Sequence, residues 1–78
     1  MRKLSKIIGK IEYYKRLNLS VYGNPRYEIC VGGLYLTSKS DYSYNYEMMN
    51  FINKDCEVEI EYYETKTSYR IETIKEVK

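Results

Sequence analysis

Hydrophobic and polar residues alternate along four stretches of the chain, residues 6–17, 26–32, 56–63 and 68–77. This period-two pattern predicts β-strands with one buried face. In the first stretch the mostly apolar parity is expected to face the core, and its members are Ile7, Gly9, Ile11, Tyr13 and Leu17. A glycine inside a strand predicts a bulge or a sharp bend. Gly9 therefore indicates a corner of the kind found in small barrels.

The clearest turn signal is Gly32-Gly33, which predicts a two-residue hairpin between the second strand and a short third one. This hairpin pairs Val31 with Leu34 and Ile29 with Leu36, so the four apolar side chains share one face. Tyr35 then points outward, opposite Cys30.

A short helix is predicted from Asp41 to about Ile52, because Tyr44, Met48 and Phe51 or Ile52 follow helical spacing. It ends at 53–55. A turn over 65–67 then joins the last two strands, and we expect it to place Tyr62 opposite Tyr69 and Glu61 opposite Arg70. The alternation breaks at Ile74, which indicates that the last strand is bulged or buried on both faces.

The predicted order is β-β-β-α-β-β in a single small β-barrel domain over residues 1–78. The fold class is mainly β, a small α+β protein. Five strands with a helix after the third suit an OB-like barrel. An SH3-like barrel and a curved sheet capped by the helix are the alternatives.

The loop between the first two strands, Ser20-Val21-Tyr22-Gly23-Asn24-Pro25-Arg26-Tyr27, is expected to be stiff. Gly23 and Asn24 tolerate positive φ, and Pro25 fixes its own φ and keeps Asn24 extended.

The composition argues against an enzyme. The 78 residues include no histidine, which removes the commonest general base and metal ligand. There is no glycine-rich phosphate loop, and we expect neither a cofactor nor a metal. Cys30 and Cys56 are interpreted as reduced thiols. Since the sequence shows no signal peptide and no apolar run of membrane-spanning length, we expect a cytoplasmic protein with no membrane partner.

Charge is unevenly distributed. Residues 1–16 carry six basic groups and one acidic group, whereas residues 47–78 carry five basic and eight acidic groups. We expect these charges to neutralise each other if the first and fourth strands are neighbours.

The loop also carries a resemblance. Together with Arg16-Leu17, Thr37, Ser40-Asp41 and Tyr46, the motif Ser-x-x-Gly-Asn-Pro-Arg-Tyr at 20–27 resembles small uncharacterised bacteriophage proteins. No activity is established for that group. The resemblance implies a phage or mobile-element origin, which would place the protein in the host cytosol.

Two classes of binding surface can be read from the side chains. One would bind single-stranded nucleic acid by aromatic stacking and cationic contacts, and its residues are Tyr22, Arg26, Tyr35, Lys39 and Lys66. Tyr14 and Tyr63 are also predicted to point outward. Each tyrosine could equally be packed against its cross-strand neighbours.

The other surface would bind a protein through the carboxylate row Glu57, Glu59 and Glu61 or through Tyr42 and Met49. The leading hypothesis is a non-enzymatic phage accessory protein that binds a host protein or complex and inhibits host defence or a nuclease complex. The alternatives are a nucleic-acid-binding module and a structural homodimer.

Overall fold

The computed structural model describes residues 3–77 and contains five strands and two short helical segments. The predicted order β-β-β-α-β-β is confirmed. The elements are β1 (Ser5–Arg16), β2 (Tyr27–Val31), β3 (Leu34–Thr37), a 3-10 segment (Ser43–Tyr46), α1 (Met48–Lys54), β4 (Glu57–Glu64) and β5 (Tyr69–Glu76).

The five strands form a closed barrel in the order β1-β2-β3-β5-β4. Neighbouring strands are antiparallel except β3 and β5, which run parallel and pair Leu36 with Tyr69 and Thr37 with Arg70. The barrel closes because β1 changes partner along its length: residues 5–10 pair with β4 and residues 11–16 pair with β2. The architecture is therefore a closed five-stranded barrel, consistent with the OB-like or SH3-like class expected from the sequence, and not an open curved sheet.

Two local features let β1 cross from one partner to the other. A Cβ atom on Gly9 would lie 3.2 Å from Cγ1 of Val31, so the glycine permits a close approach of β1 to β2. The register then shifts between Ile11 and Tyr13, which makes Glu12 the bulged residue. The predicted irregularity exists, but the bulge lies three residues after Gly9.

Tyr13 was predicted to face the core, and the bulge at Glu12 makes this prediction wrong. Tyr13 pairs with Cys30, whereas Ile11 pairs with the fully buried Val31. Because one extra residue reverses the alternation of side chains, Tyr13 shares the outer row of Cys30 and leaves the core.

The Gly32-Gly33 hairpin is confirmed with its predicted register. Val31 pairs with Leu34, Ile29 with Leu36 and Cys30 with Tyr35. Both glycines have a positive φ, 59° at Gly32 and 81° at Gly33, which residues other than glycine rarely adopt.

The predicted register of β4 and β5 is wrong by two residues. Glu64 pairs with Tyr69 and Tyr63 with Arg70, because the turn spans four residues, Thr65–Ser68. The hydroxyl of Thr65 donates to the Ser68 carbonyl at 2.8 Å and closes this wider turn without glycine.

A second irregularity explains why the apolar alternation breaks late in β5. The register shifts between Glu61, which pairs with Thr73, and Tyr62, which pairs with Ile71. Glu72 is the extra residue, and the shift returns Ile74 to the buried face. Of the two alternatives expected from the sequence, a bulge or burial on both faces, the structure shows the bulge.

The helical region begins later than predicted and is divided into two segments. Asp41 adopts a left-handed conformation with φ of 62°, so a helix cannot begin there. Residues 43–46 form a 3-10 turn and α1 starts at Met48. It ends at Lys54, and its C-cap residue Asp55 is also left-handed with φ of 53°. Met48 and Phe51 are nevertheless buried, as the spacing predicted.

The core is built from alternate residues of the barrel strands and from the helical region. Tyr44, predicted to be a core residue, is buried, and its hydroxyl donates to the Ile71 carbonyl at 2.8 Å. Burial raises the pKa of Tyr44 to about 12. The fully buried apolar side chains are Ile29, Val31, Leu36, Met48, Val58, Ile60 and Ile71.

This packing predicts that Met48 fixes α1 to the barrel. We expect Met48→Ala to lower the free energy of unfolding by about 2–5 kcal/mol, because it leaves a cavity in a fully packed site. The matched control is Met49→Ala, at a partly buried neighbour, which should cost clearly less. Urea denaturation followed by circular dichroism measures both, and equal losses would contradict the assignment.

Candidate functional site

The loop between β1 and β2 is held by its own hydrogen bonds. The Ser20 N–H donates to the Asn24 carbonyl at 3.0 Å, and the Gly23 N–H donates to the Ser20 carbonyl at 2.9 Å. The Asn24 N–H donates to the Ser20 hydroxyl oxygen at 3.1 Å. These bonds form a compact turn over residues 20–24, as expected for a stiff loop.

A second segment of the chain braces this turn from outside. The Asp41 carboxylate accepts from the Ser20 hydroxyl and from Nδ2 of Asn24, the latter at 2.7 Å. The Tyr46 hydroxyl donates to Oδ1 of Asn24. We call these four residues, Ser20, Asn24, Asp41 and Tyr46, the loop brace.

The brace lowers the pKa of Asp41. Its largest cause is the hydrogen bond from Ser20, followed by that from Asn24, and the positive charge of Arg26 adds to it. The carboxylate therefore stays ionised and keeps accepting both bonds at neutral pH.

The loop brace gives a structural role to residues that carry the bacteriophage resemblance. The motif residues Ser20 and Asn24 meet Asp41 and Tyr46, which are about 20 positions away in the sequence. Tyr27, the last motif residue, makes two hydrogen bonds with Ser38. The Ser38 N–H donates to the Tyr27 carbonyl, and the Tyr27 N–H donates to the Ser38 hydroxyl oxygen, each at 2.9 Å. The motif therefore builds the stiff loop that the sequence predicted, but its contacts with Asp41 and Tyr46 were not predicted.

The braced loop presents an apolar tip to solvent. We call Leu19, Val21 and Tyr22 the loop tip; their exposed fractions are 54%, 97% and 82%. Tyr22 was a predicted binding residue and is exposed as expected. Leu19 and Val21 were not singled out, although two aliphatic residues in a polar turn are a sequence signal of an exposed apolar site.

A pair of tyrosines lies on the outer face of β1, β2 and β3. The rings of Tyr13 and Tyr35 meet edge to face with centroids 6.0 Å apart, and Cys30 lies between them in the strand register. Both rings are about half exposed, whereas Cys30 is only 7% exposed. The outward placement of Tyr35 is confirmed, and the β1 bulge brings Tyr13 beside it.

Glu12, the bulged residue, supports this outer face. Its Oε1 accepts the Gly33 N–H at 3.1 Å and lies 3.9 Å from the Cys30 thiol. The carboxylate thus ties the bulge to the hairpin turn. Cys30 and Cys56 are both free thiols, as interpreted from the sequence.

Lys39, a predicted cationic contact, is used inside the protein. Its ammonium binds the Glu72 carboxylate, donates to the Tyr42 hydroxyl at 3.2 Å, and lies over the rings of Tyr42 and Tyr63 at 4.5 and 5.5 Å. The hydrogen bond to Glu72 is the main reason why the pKa of Lys39 is raised. Tyr63 is buried, so its predicted outward exposure is wrong: the Lys39 side chain covers it.

Arg26 is less available than predicted. The residue is half-buried, and its buried Nε has no hydrogen-bond partner among residues 3–77. Its carbonyl accepts the Leu17 N–H at 2.9 Å, so its backbone closes the base of the loop. Lys66, in the β4–β5 turn, and Tyr14, near the end of β1, are both exposed as expected.

The carboxylate row on β4 lies beside basic residues of β1, as expected for neighbouring first and fourth strands, and its central member Glu59 is ion-paired. Glu59 pairs with Lys6 at 3.9 Å and with Lys75 at 3.3 Å. Glu61 accepts the Thr73 hydroxyl at 3.2 Å and lies opposite Lys6, and Glu57 lies opposite Lys10.

The second predicted protein surface is also partly used internally. Met49 packs against the core, and Tyr42 contacts both Lys39 and the Tyr44 ring. The loop tip is therefore the more available apolar surface.

Over residues 3–77 the structure brings together no group of three or more potential metal ligands. In the same range, no helix has the length and apolar character needed to cross a membrane. Comparison with family models, with curated proteins and with solved structures finds no match for this chain.

The loop brace predicts an acid-sensitive loop. The lowered pKa of Asp41 means that its contribution is present above the unfolded pKa of about 4 and is lost as pH falls through the folded value. We expect the backbone amide signals of Ser20, Gly23 and Asn24 to move on acidification while strand signals stay in place.

Asp41→Ala should move the same amide signals at neutral pH, and Asp55→Ala should not, since Asp55 contacts Lys10 on the surface. Loop signals that stay unchanged both in Asp41→Ala and between pH 6 and about pH 2 would contradict the brace.

Proposed function

We propose that this domain is a non-enzymatic binding protein whose loop tip inserts into an apolar recess of a protein partner. The observation that carries the proposal is the exposure of Val21 and Tyr22 on a braced turn. A monomer gains nothing from placing a valine and a tyrosine almost entirely in water, whereas a partner can bury both.

The brace lowers the conformational entropy that is lost in this mode of binding. Burial of a Val or Leu side chain contributes about 1.5–3 kcal/mol, and tyrosine is a frequent anchor of interfaces. A loop that is ordered before binding loses little conformational entropy in the complex. The hydrogen bonds among Ser20, Asn24, Asp41 and Tyr46 provide that order.

The outer tyrosines extend the candidate surface onto the barrel. Tyr13 lies on β1, which leads into the loop, and Tyr35 lies on β3, which pairs with β2. Their half-exposed rings add apolar area with polar tips. Such amphipathic rings suit the rim of an interface. The contact would thus combine a protruding tip with a flatter aromatic area.

The identity of the partner rests on the resemblance. A phage or mobile-element origin favours a host protein or complex in the host cytosol, and inhibition of a defence or nuclease complex is the action that we propose. The internal pairing of Lys39 and of Glu59 supports the loop tip over the carboxylate row as the contact.

We expect Val21→Asp to abolish capture of the partner from host lysate, because it places a charge in an apolar recess. The matched control is Leu4→Asp, which makes the same kind of change at an exposed apolar residue of the N-terminal segment. Affinity purification followed by mass spectrometry measures both. Equal capture by wild type and Val21→Asp would contradict the proposal, and a concentration-dependent dimer that Val21→Asp dissociates would identify the partner as a second copy.

A single-stranded nucleic-acid-binding module is the second candidate, and the OB-like strand order favours it. In such barrels the face of the second and third strands and the adjoining loops bind single strands. Tyr35 lies on this face, and Lys66 lies in the β4–β5 turn.

The nucleic-acid candidate predicts that Tyr35→Leu weakens oligonucleotide binding about tenfold, because it removes a stacking ring but keeps an apolar cover for Cys30. Binding should also fall steeply with salt. Backbone amide shifts during titration with a short single strand measure both effects. Absent binding, or binding that ignores salt and Tyr35→Leu, would exclude this candidate.

A further inference from the structure

A cleft lies at the far end of β4 from the α1 helix. It has a volume of about 440 Å³ and is lined by Lys3, Ser5, Tyr62, Tyr63, Glu64 and Tyr69. Since α1 ends just before β4 begins, and Tyr62–Glu64 are the last residues of β4, the cleft opens at the opposite mouth of the barrel. Barrel mouths are common places for small-ligand sites.

The wall of the cleft is aromatic. The rings of Tyr62 and Tyr69 meet edge to face with centroids 5.6 Å apart, and both residues are only partly buried although they pack against the core. An edge-to-face pair leaves ring surface available for a third flat group. The wall can therefore stack a planar ligand.

The rim of the cleft carries one positive and one negative charge. Ser5 pairs with Tyr62, and Lys3 and Glu64, two residues further along their antiparallel segments, both line the cleft and are exposed. Within residues 3–77 the ion pairs of the protein involve neither of them. A donor and an acceptor therefore stand together beside an aromatic wall.

This combination selects the chemistry of the ligand. Because the charges of Lys3 and Glu64 offset each other, the rim favours neither a net anion nor a net cation, whereas a neutral ring with a donor and an acceptor on one edge would satisfy both. A nucleobase has such an edge and a flat face for stacking. We propose that the barrel-mouth cleft binds a single unpaired nucleobase between its tyrosine wall and the Lys3–Glu64 rim.

In this arrangement the Glu64 carboxylate accepts an exocyclic amine or ring N–H of the base, and the Lys3 ammonium donates to the adjacent ring nitrogen or carbonyl oxygen. The Ser5 hydroxyl adds a further donor or acceptor at the same rim. None of these residues belongs to the loop tip or to the outer tyrosine pair. The cleft and the proposed protein-binding surface can thus be tested separately.

The test is a titration of the isotopically labelled protein with cytidine, followed through backbone amide shifts. We expect saturable shifts at Ser5, Tyr62, Glu64 and Tyr69 in the millimolar range, little changed by salt because cytidine is neutral. Ribose alone should produce none of them. Absence of saturable shifts with cytidine, or equal shifts with ribose, would overturn the proposal.

Variants separate stacking from edge recognition. Tyr69→Leu should weaken cytidine binding about tenfold through loss of a stacking face. Lys3→Ala and Glu64→Ala, at exposed positions that do not endanger folding, should each weaken it severalfold. Tyr14→Leu, at an exposed tyrosine that does not line the cleft, is the matched control and should leave cytidine binding unchanged. If Lys3→Ala and Glu64→Ala both bind like wild type, the rim has no role and the proposal fails.

A short single-stranded oligonucleotide distinguishes the two possible sources of the base. Tighter binding than cytidine at the same amides indicates a base within a strand, and binding of cytidine alone at this cleft indicates a free nucleoside. Either result supports the cleft. Val21→Asp should affect neither titration. Failure of the cleft proposal would therefore leave the loop-tip proposal unaffected.

Discussion

The path of β1 is the constraint on which the rest of the structure depends. One strand of 12 residues pairs first with β4 and then with β2, and without this exchange the sheet would not close. Gly9 allows the close approach to Val31, and the bulge at Glu12 adjusts the register immediately afterwards. The same bulge moves Tyr13 to the outer face, so closure of the barrel and construction of the outer tyrosine pair have one cause.

Closure also determines how the charged residues are used. Because β1 lies beside β4, the basic N-terminal segment faces the glutamate row, and Lys6 and Lys10 stand opposite Glu61 and Glu57. Exposed pairs of this kind contribute little to stability, but they leave neither strand with a strong uncompensated field. Lys39 is likewise held by Glu72 and two tyrosine rings. The surface that remains available to a partner is therefore distinguished more by its exposed apolar side chains than by its charge.

The sequence predicted the elements whose determinants are local. The Gly32-Gly33 hairpin and its register follow from two residues that accept positive φ and from the matching apolar parity on each side. The β4–β5 register was wrong because Thr65 closes a four-residue turn with its side chain, an option that no glycine or asparagine marks. The helix began later than predicted because Asp41 turns left-handed to reach Ser20 and Asn24. That contact joins segments that are far apart in the sequence, so the spacing of apolar residues cannot predict it.

The candidate site shows the same division between local and distant causes. Tyr22 could be predicted from the sequence because a tyrosine beside Gly23 and Asn24 is expected to be exposed. Val21 becomes a candidate contact residue only once the loop brace is known. A flexible loop with the same three side chains would lose conformational entropy when it became ordered on binding, and the apolar tip would then be a weak anchor. Asp41 and Tyr46 convert it into a fixed projection. In the proposed contact, the polar residues of the motif act through the apolar side chains that they hold in place.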